Sequence, residues 1–150
     1  MNGRALKQAI SLVEGHEVER FPLICMYSGL NSLTPCIFLY EGPAIGHWCA
    51  ILKHKNSWEV FDPIGLWPDD ELKHPMITKV PAKIEKMAAS TNLAVFYNHM
   101  PLQKAHRTCG LWCCFRWIHR DLDYDQFIRR YGHITDLQVC YLFDRLDLFR

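Results

Sequence analysis

Between His47 and Asp62 the chain reads as two strand-like runs about one short polar turn: His47 to His54, then Lys55-Asn56-Ser57, then Trp58-Glu59-Val60-Phe61-Asp62. Runs of this length, rich in apolar and aromatic residues and closed by Pro63, Gly65 and Pro68, predict an antiparallel hairpin. No other feature constrains the fold as tightly, because the register of a strand pair decides the face each side chain takes. If the turn has two residues, His54 faces Ser57 and Asp62 faces Cys49. Asp62 then lies diagonal to His47 on one sheet face, about 7 to 8 Å away between backbones. A one-residue change in the turn would send the two to opposite faces.

The rest of the chain organises around that hairpin. Ala5, Ile10, Leu12 and Val13 predict a helix over residues 4–14, ending near Gly15. A loop region with Phe21-Pro22 and Gly29 follows, then a strand from Pro35 to Tyr40 that Glu41-Gly42-Pro43 separates from the hairpin. A helix is expected over 82–89 and a strand from Ala94 to Tyr97. Leu111, Cys114, Phe115, Ile118 and Leu122 recur at three- and four-residue steps, the mark of a buried stripe on a helix that begins near Cys109. Leu137, Tyr141, Leu142 and Leu146 suggest a final helix. Without repeats, low-complexity tracts or a long linker, the 150 residues are expected to form one α+β domain spanning 1–150.

Composition narrows the class. A chain that is 49% hydrophobic, 13% aromatic and 22% charged is not disordered. Its net charge of +1 offers nucleic acid no basic stripe, although Lys53, His54 and Lys55 or Arg129 and Arg130 could make local contacts. Seven cysteines with no secretory signal ahead of them fit reduced thiols in the cytoplasm or nucleus. No apolar run reaches the roughly 20 residues of a membrane-spanning helix. Asn2 departs from the myristoylation pattern, and Leu148-Phe149-Arg150 offers no prenylation site, so a soluble, unanchored chain is expected.

Chemistry concentrates at Cys109. A thiol attacks as its thiolate, and the first turn of a helix, with unpaired N–H groups and a positive dipole end, lowers a thiol pKa. Thr108 is a natural N-cap, and Gly110 allows close approach to the backbone. Cys113 and Cys114, one turn on, are expected to be buried and inert. An isolated cysteine in an apolar helix is usually a small hydrophobe, and Cys109 stands out through its company. His47 supplies a base, Asp62 an acceptor that fixes the imidazole tautomer, and Gln103 a side-chain amide for an oxyanion. Taken singly, the His47–Asp62 pair could be a surface hydrogen bond and Gln103 a solvated loop residue.

Gly46-His47-Trp48, Val60-Phe61-Asp62-Pro63-Ile64-Gly65 and the run from Gln103 through Cys109-Gly110-Leu111-Trp112-Cys113-Cys114 resemble the three catalytic segments of the adenain family of viral maturation proteases. The order His, Asp or Glu, Gln, Cys also belongs to the wider clan that includes the SUMO proteases. The resemblance spans roughly residues 4–120, and its specificity lies in the three segments occurring in order. It implies a mixed central sheet packed against helices, with the nucleophile at the N-terminus of a buried helix. It further implies cleavage after small residues, commonly glycine, through a narrow groove. On that resemblance Cys109 and His47 react, Asp62 orients His47, Gln103 helps form the oxyanion hole, and Gly46, Trp48 and Gly110 line the substrate site. Asp62 stands where adenain carries glutamate, as in the SUMO-protease branch. The chain is also shorter after the catalytic helix and lacks a counterpart of the cysteine that adenain links to its activating peptide.

Other motifs fail on their context. His119-Arg120-Asp121-Leu122 imitates a kinase catalytic loop, but Gln126 replaces the asparagine and no Gly-rich loop or Asp-Phe-Gly element exists. His106, Cys109 and Cys113 lack a Cys-x-x-Cys pair and a fourth zinc ligand. Papain-like order would make Cys25 or Cys36 the nucleophile, and neither opens a helical pattern; chymotrypsin-like viral enzymes carry theirs on a β-barrel loop. The expectation is a monomeric cysteine endopeptidase that needs no cofactor or metal, acts on a viral precursor or another polypeptide, and works in a reducing intracellular compartment or a virion. Its rivals are an isopeptidase for ubiquitin-like conjugates, an acyltransferase using the same thiol, and a non-catalytic binding module.

Overall fold

The computed structural model describes residues 23–40, 46–65, 83–98, 100–104 and 108–144, together with Arg4. The helix expected over 4–14, the Phe21-Pro22 loop, Glu41-Gly42-Pro43, Pro68, His106 and Leu146 lie outside the described residues, Arg4 excepted.

Five strands form one sheet in chain order: β1 (Leu23–Met26), β2 (Cys36–Tyr40), β3 (His47–Lys53), β4 (Ser57–Phe61) and β5 (Ala94–Tyr97). The β2–β3 and β3–β4 pairs are antiparallel while β1–β2 and β4–β5 are parallel, so the sheet is mixed and the fold α+β. The hairpin register pairs Ala50 with Phe61 and Lys53 with Trp58. His54 N–H donates to Ser57 O at 2.8 Å, which leaves Lys55-Asn56 as a two-residue turn and sets Asp62 across from Cys49. β1 was not expected. It has four residues with Leu23 and Met26 exposed, and among the described residues it pairs only with β2, so its sequence carries little of the apolar patterning that marks a strand.

Both faces of the sheet are covered, which is why β3 reads as a continuous apolar run and not as an alternating one. On one face Cys36, Phe38, Tyr40, Cys49, Ile51 and Val60 pack against the 3-10 turn Tyr27–Gly29, Leu30, and Ile84 and Met87 of helix α1 (Ile84–Ala89). On the other, Ile37, Trp48, Ala50, Leu52 and Phe61 meet helix α2 (Cys109–Ile118). Two further helices, α3 (Tyr124–Tyr131) and α4 (Asp136–Asp144), add Phe127, Val139 and Phe143 to the same core.

Helix α2 is buried from Cys109 through Trp117, including Arg116, whose side chain is fully enclosed. Arg116 donates from Nε and Nη2 to the two carboxylate oxygens of Glu59 on β4 at 2.8 and 2.7 Å, and caps His119 O and Leu122 O at 2.9 Å each. His54 completes the network at 2.9 Å from Glu59 Oε1. This fork fixes how far α2 slides along the sheet. Helix α3, between the two helices singled out in the sequence, opens with a reciprocal capping box between Asp123 and Gln126. Helix α4 was expected from the wrong stripe: Leu137, Tyr141 and Leu142 are exposed, and the buried face is Val139 with Phe143, spaced i and i+4. Among the described residues no helix is long and apolar enough to cross a membrane.

Candidate active site

The hairpin delivers its two polar ends to one place. His47 Nε2 lies 2.8 Å from Asp62 Oδ1, and both residues are buried. The diagonal placement that a two-residue turn imposes has become a direct hydrogen bond.

Asp62 is held through its backbone and through Oδ1. The sequence Asp62-Pro63-Ile64-Gly65 makes a turn in which Gly65 N–H donates to Asp62 O at 2.9 Å, with Gly65 at φ 76°. That backbone conformation favours glycine. Ile64 N–H donates to Asp62 Oδ1 at 2.8 Å, so one carboxylate oxygen is pinned by the turn while it accepts from the imidazole. Asn98, just past β5 and 1% exposed, accepts from Asp62 N–H at 2.7 Å and donates Nδ2–H to Asp62 O at 2.6 Å. Its amide thus continues the β4–β5 ladder by one rung beyond the backbone pairing. Asn98 was missed from sequence; its position directly after the strand Ala94–Tyr97 was the available signal.

Cys109, the first residue of α2, also hydrogen-bonds to the His47 side chain. Burial opposes charge on the His47 ring, but the hydrogen bonds to Asp62 and Cys109 and the negative charge of both outweigh it and raise its pKa to about 10. Burial likewise pushes the Cys109 thiol up. The hydrogen bond and charge of His47, with backbone N–H groups of Trp48 and Gly110, overcome it and hold the thiol below its ordinary value. Cys113 and Cys114 behave oppositely: burial raises both. Cys113 Sγ donates to Trp48 O at 3.3 Å.

The remaining expected residues fall around this pair. Leu102 and Gln103 both donate their N–H to Pro63 O at 2.9 Å, which ties the Gln103 segment to the residue after Asp62. Gln103 is half-buried and its amide oxygen is enclosed, unlike a solvated loop residue. Trp48 is 6% exposed with its indole in the core beneath α2, so it serves Cys109 through its backbone. Gly46 is exposed and runs close to β2, where a Cβ would stand 2.8 Å from Leu39 Cδ1 and 3.3 Å from Tyr40 O. Thr108 departs from expectation. Its backbone is helical and its side chain makes no capping bond to α2; its hydroxyl donates to Asp136 Oδ1 at 3.0 Å.

His47, Cys49 and Asp62 place potential ligand atoms within 4.8 Å of one another. The 2.8 Å contact between His47 and Asp62 has the length of a hydrogen bond.

No family model matches the chain. The chain is similar to a virophage protein. Uncharacterized protein V9 of Sputnik virophage is 27% identical to it over 126 residues, with 74% of this chain and 72% of that protein covered. The likeness brings a viral relative whose name states no activity.

Proposed function

We propose that the chain is a cysteine endopeptidase of the adenain type. The observation that carries this reading is the buried relay in which one His47 nitrogen meets Asp62 and His47 also hydrogen-bonds Cys109 at a helix start. Cys109 transfers its proton to His47 Nδ1, and the thiolate attacks the substrate carbonyl carbon. The resulting oxyanion is stabilised by the Gln103 amide and local backbone N–H groups. Collapse breaks the C–N bond as His47 returns the proton to the departing amine. Water, deprotonated by His47, then hydrolyses the thioester and releases the acid, with the proton returning to the thiol. Asp62 keeps Nε2 protonated, so Nδ1 is the nitrogen that exchanges protons.

The substrate in this reading is a polypeptide cut after small residues such as glycine, in keeping with the resemblance of the three catalytic segments. A viral precursor as target is in keeping with the likeness to a virophage protein, and seven free cysteines are in keeping with a reducing intracellular setting. Asp62, the choice of the SUMO-protease branch, favours a second reading in which the same residues release a ubiquitin-like modifier.

Hydrolysis of a peptide library with glycine or alanine before the scissile bond, compared between wild type and Cys109→Ala, tests the proposal. Cleavage abolished by the substitution supports it. A folded wild type that cleaves no better than Cys109→Ala leaves a binding module on this fold. Probes ending in Gly-Gly of ubiquitin or SUMO, captured in preference to short peptides, would select the isopeptidase, and an acylated second protein the transferase.

A further inference from the structure

Asp136 opens α4, and its carboxylate reaches away from that helix. The N-terminus of α4 is closed by Thr135 and Gln138, with Thr135 N–H donating to Gln138 Oε1 at 2.9 Å and Gln138 N–H donating to Thr135 Oγ1 at 3.2 Å. Asp136 instead turns to the segment that leads into the Cys109 helix. Its Oδ2 accepts the backbone N–H of Lys104 at 2.8 Å; its Oδ1 accepts the Thr108 hydroxyl at 3.0 Å and the indole N–H of Trp112 at 2.8 Å.

The three donors have a common significance. Lys104 directly follows Gln103, Thr108 directly precedes Cys109, and Trp112 lies one turn into α2 and is fully buried. One carboxylate therefore grips the segment between the proposed oxyanion donor and the proposed nucleophile at both ends, and anchors it to the helix. Engaging the Thr108 hydroxyl also draws it away from the capping role that its position predicts. The first turn of α2, whose Gly110 N–H meets Cys109 Sγ, is left uncapped by that side chain.

We propose that Asp136 is a positioning residue: a buckle on α4 that sets the spacing between Gln103 and Cys109 and thereby aligns the oxyanion site with the thiolate. The proposal rests on the protease reading and deepens it. The donors to Asp136 named above, Lys104, Thr108 and Trp112, are not members of the His47–Asp62–Cys109 relay, so losing the buckle leaves thiolate formation intact and impairs stabilisation of the oxyanion.

The test separates those two steps in the full-length chain. p-Nitrophenyl acetate acylates an activated thiol without needing a peptide sequence and passes through an oxyanion; iodoacetamide alkylates the same thiolate without one. In Asp136→Ala, single-turnover acylation of Cys109 is expected to slow by roughly 10- to 100-fold, while the pH profile of Cys109 alkylation stays in place. Asp136→Asn keeps an oxygen for Trp112 and Thr108 but cannot accept from Lys104 with its amide nitrogen, so it should recover part of the rate. That near-isosteric variant, with near-ultraviolet circular dichroism as the check on folding, also serves if the alanine variant is unstable. Acylation at the wild-type rate in a folded variant overturns the proposal and leaves the relay standing. An alkylation profile displaced in parallel with acylation assigns Asp136 to general structure and overturns it as well. A wild type that is neither acylated at Cys109 nor alkylated there faster than a denatured cysteine removes the protease reading, and the proposal with it.

Discussion

Asn98 bonds to both backbone groups of Asp62, accepting from its N–H at 2.7 Å and donating to its carbonyl at 2.6 Å, although the two lie 36 positions apart in the chain. Asp62 is the last residue before the Pro63 turn, where the β4–β5 pairing has already ended at Val60 and Tyr97. Its carboxylate could otherwise swing with the turn. The amide of Asn98 stands in for the missing rung of the ladder and so fixes the acceptor that orients His47.

Asn98→Ala should therefore leave the buried N–H of Asp62 without this acceptor, at a cost of about 1–3 kcal/mol, while its carbonyl keeps the N–H of Gly65. Urea denaturation should show the loss of stability. Hydrolysis should fall beyond what the unfolded fraction explains, because the Asp62 carboxylate loses its fixed position. A stability loss with full specific activity in the folded fraction would show that Asn98 supports the sheet alone.

Asp62→Asn retains a side-chain oxygen for Ile64 N–H but removes the negative charge that His47 faces. Hydrolysis should drop by roughly 10²- to 10⁴-fold, with substrate affinity little changed. The His47 pKa, followed by NMR, should fall from about 10, since the hydrogen bond and charge of Asp62 are among the causes that raise it. An unchanged His47 titration would detach Asp62 from the relay.

The paired shifts fix the shape of the pH profile. Cys109 ionises below the ordinary thiol value of about 8.5, so kcat/KM should already be rising on the acid side of that value. It should decline as pH approaches about 10, where His47 loses the proton it must give to the departing amine. The protonated ring also stabilises the fold. Because its folded-state pKa is raised above the unfolded value, that contribution is fully present below about 6.5 and is lost as pH climbs through about 10.

Arg116 carries a structural prediction. Arg116→Met strands Glu59 as a buried carboxylate with His54 as its remaining ring partner in that network, and should cost about 3–5 kcal/mol. Replacing both residues, Arg116→Met with Glu59→Leu, should recover much of the loss. Thermal unfolding of the single and double variants decides it: equal losses would mean that helix α2 needs the ion pair itself.

The hairpin was legible from its apolar runs and polar turn, but its register was open until the His54–Ser57 hydrogen bond fixed a two-residue turn, the register that makes His47 and Asp62 neighbours. The start of α2 was legible from its apolar spacing, although the enclosed Arg116 interrupts that pattern and takes its meaning from Glu59, far off in sequence. Leu137, Tyr141 and Leu142 misled because apolar residues can occupy the solvent face of a short helix as readily as the core face, and only packing against α2 selects Val139 and Phe143. Thr108 looked like a cap because its neighbours were read along the chain, whereas its hydroxyl partner, Asp136, arrives from another helix. Long-range partners of this kind leave no local pattern to read.

The most direct test of the central claim is the rate of iodoacetamide alkylation at each cysteine as a function of pH, with sites mapped by mass spectrometry. Cys109 is expected to label first and with an apparent pKa below that of an ordinary thiol, while Cys113 and Cys114 stay unreactive in the folded chain. That apparent pKa should rise in His47→Ala. Labelling of Cys109 no faster than that of a denatured cysteine, or a profile indifferent to His47, would contradict the account.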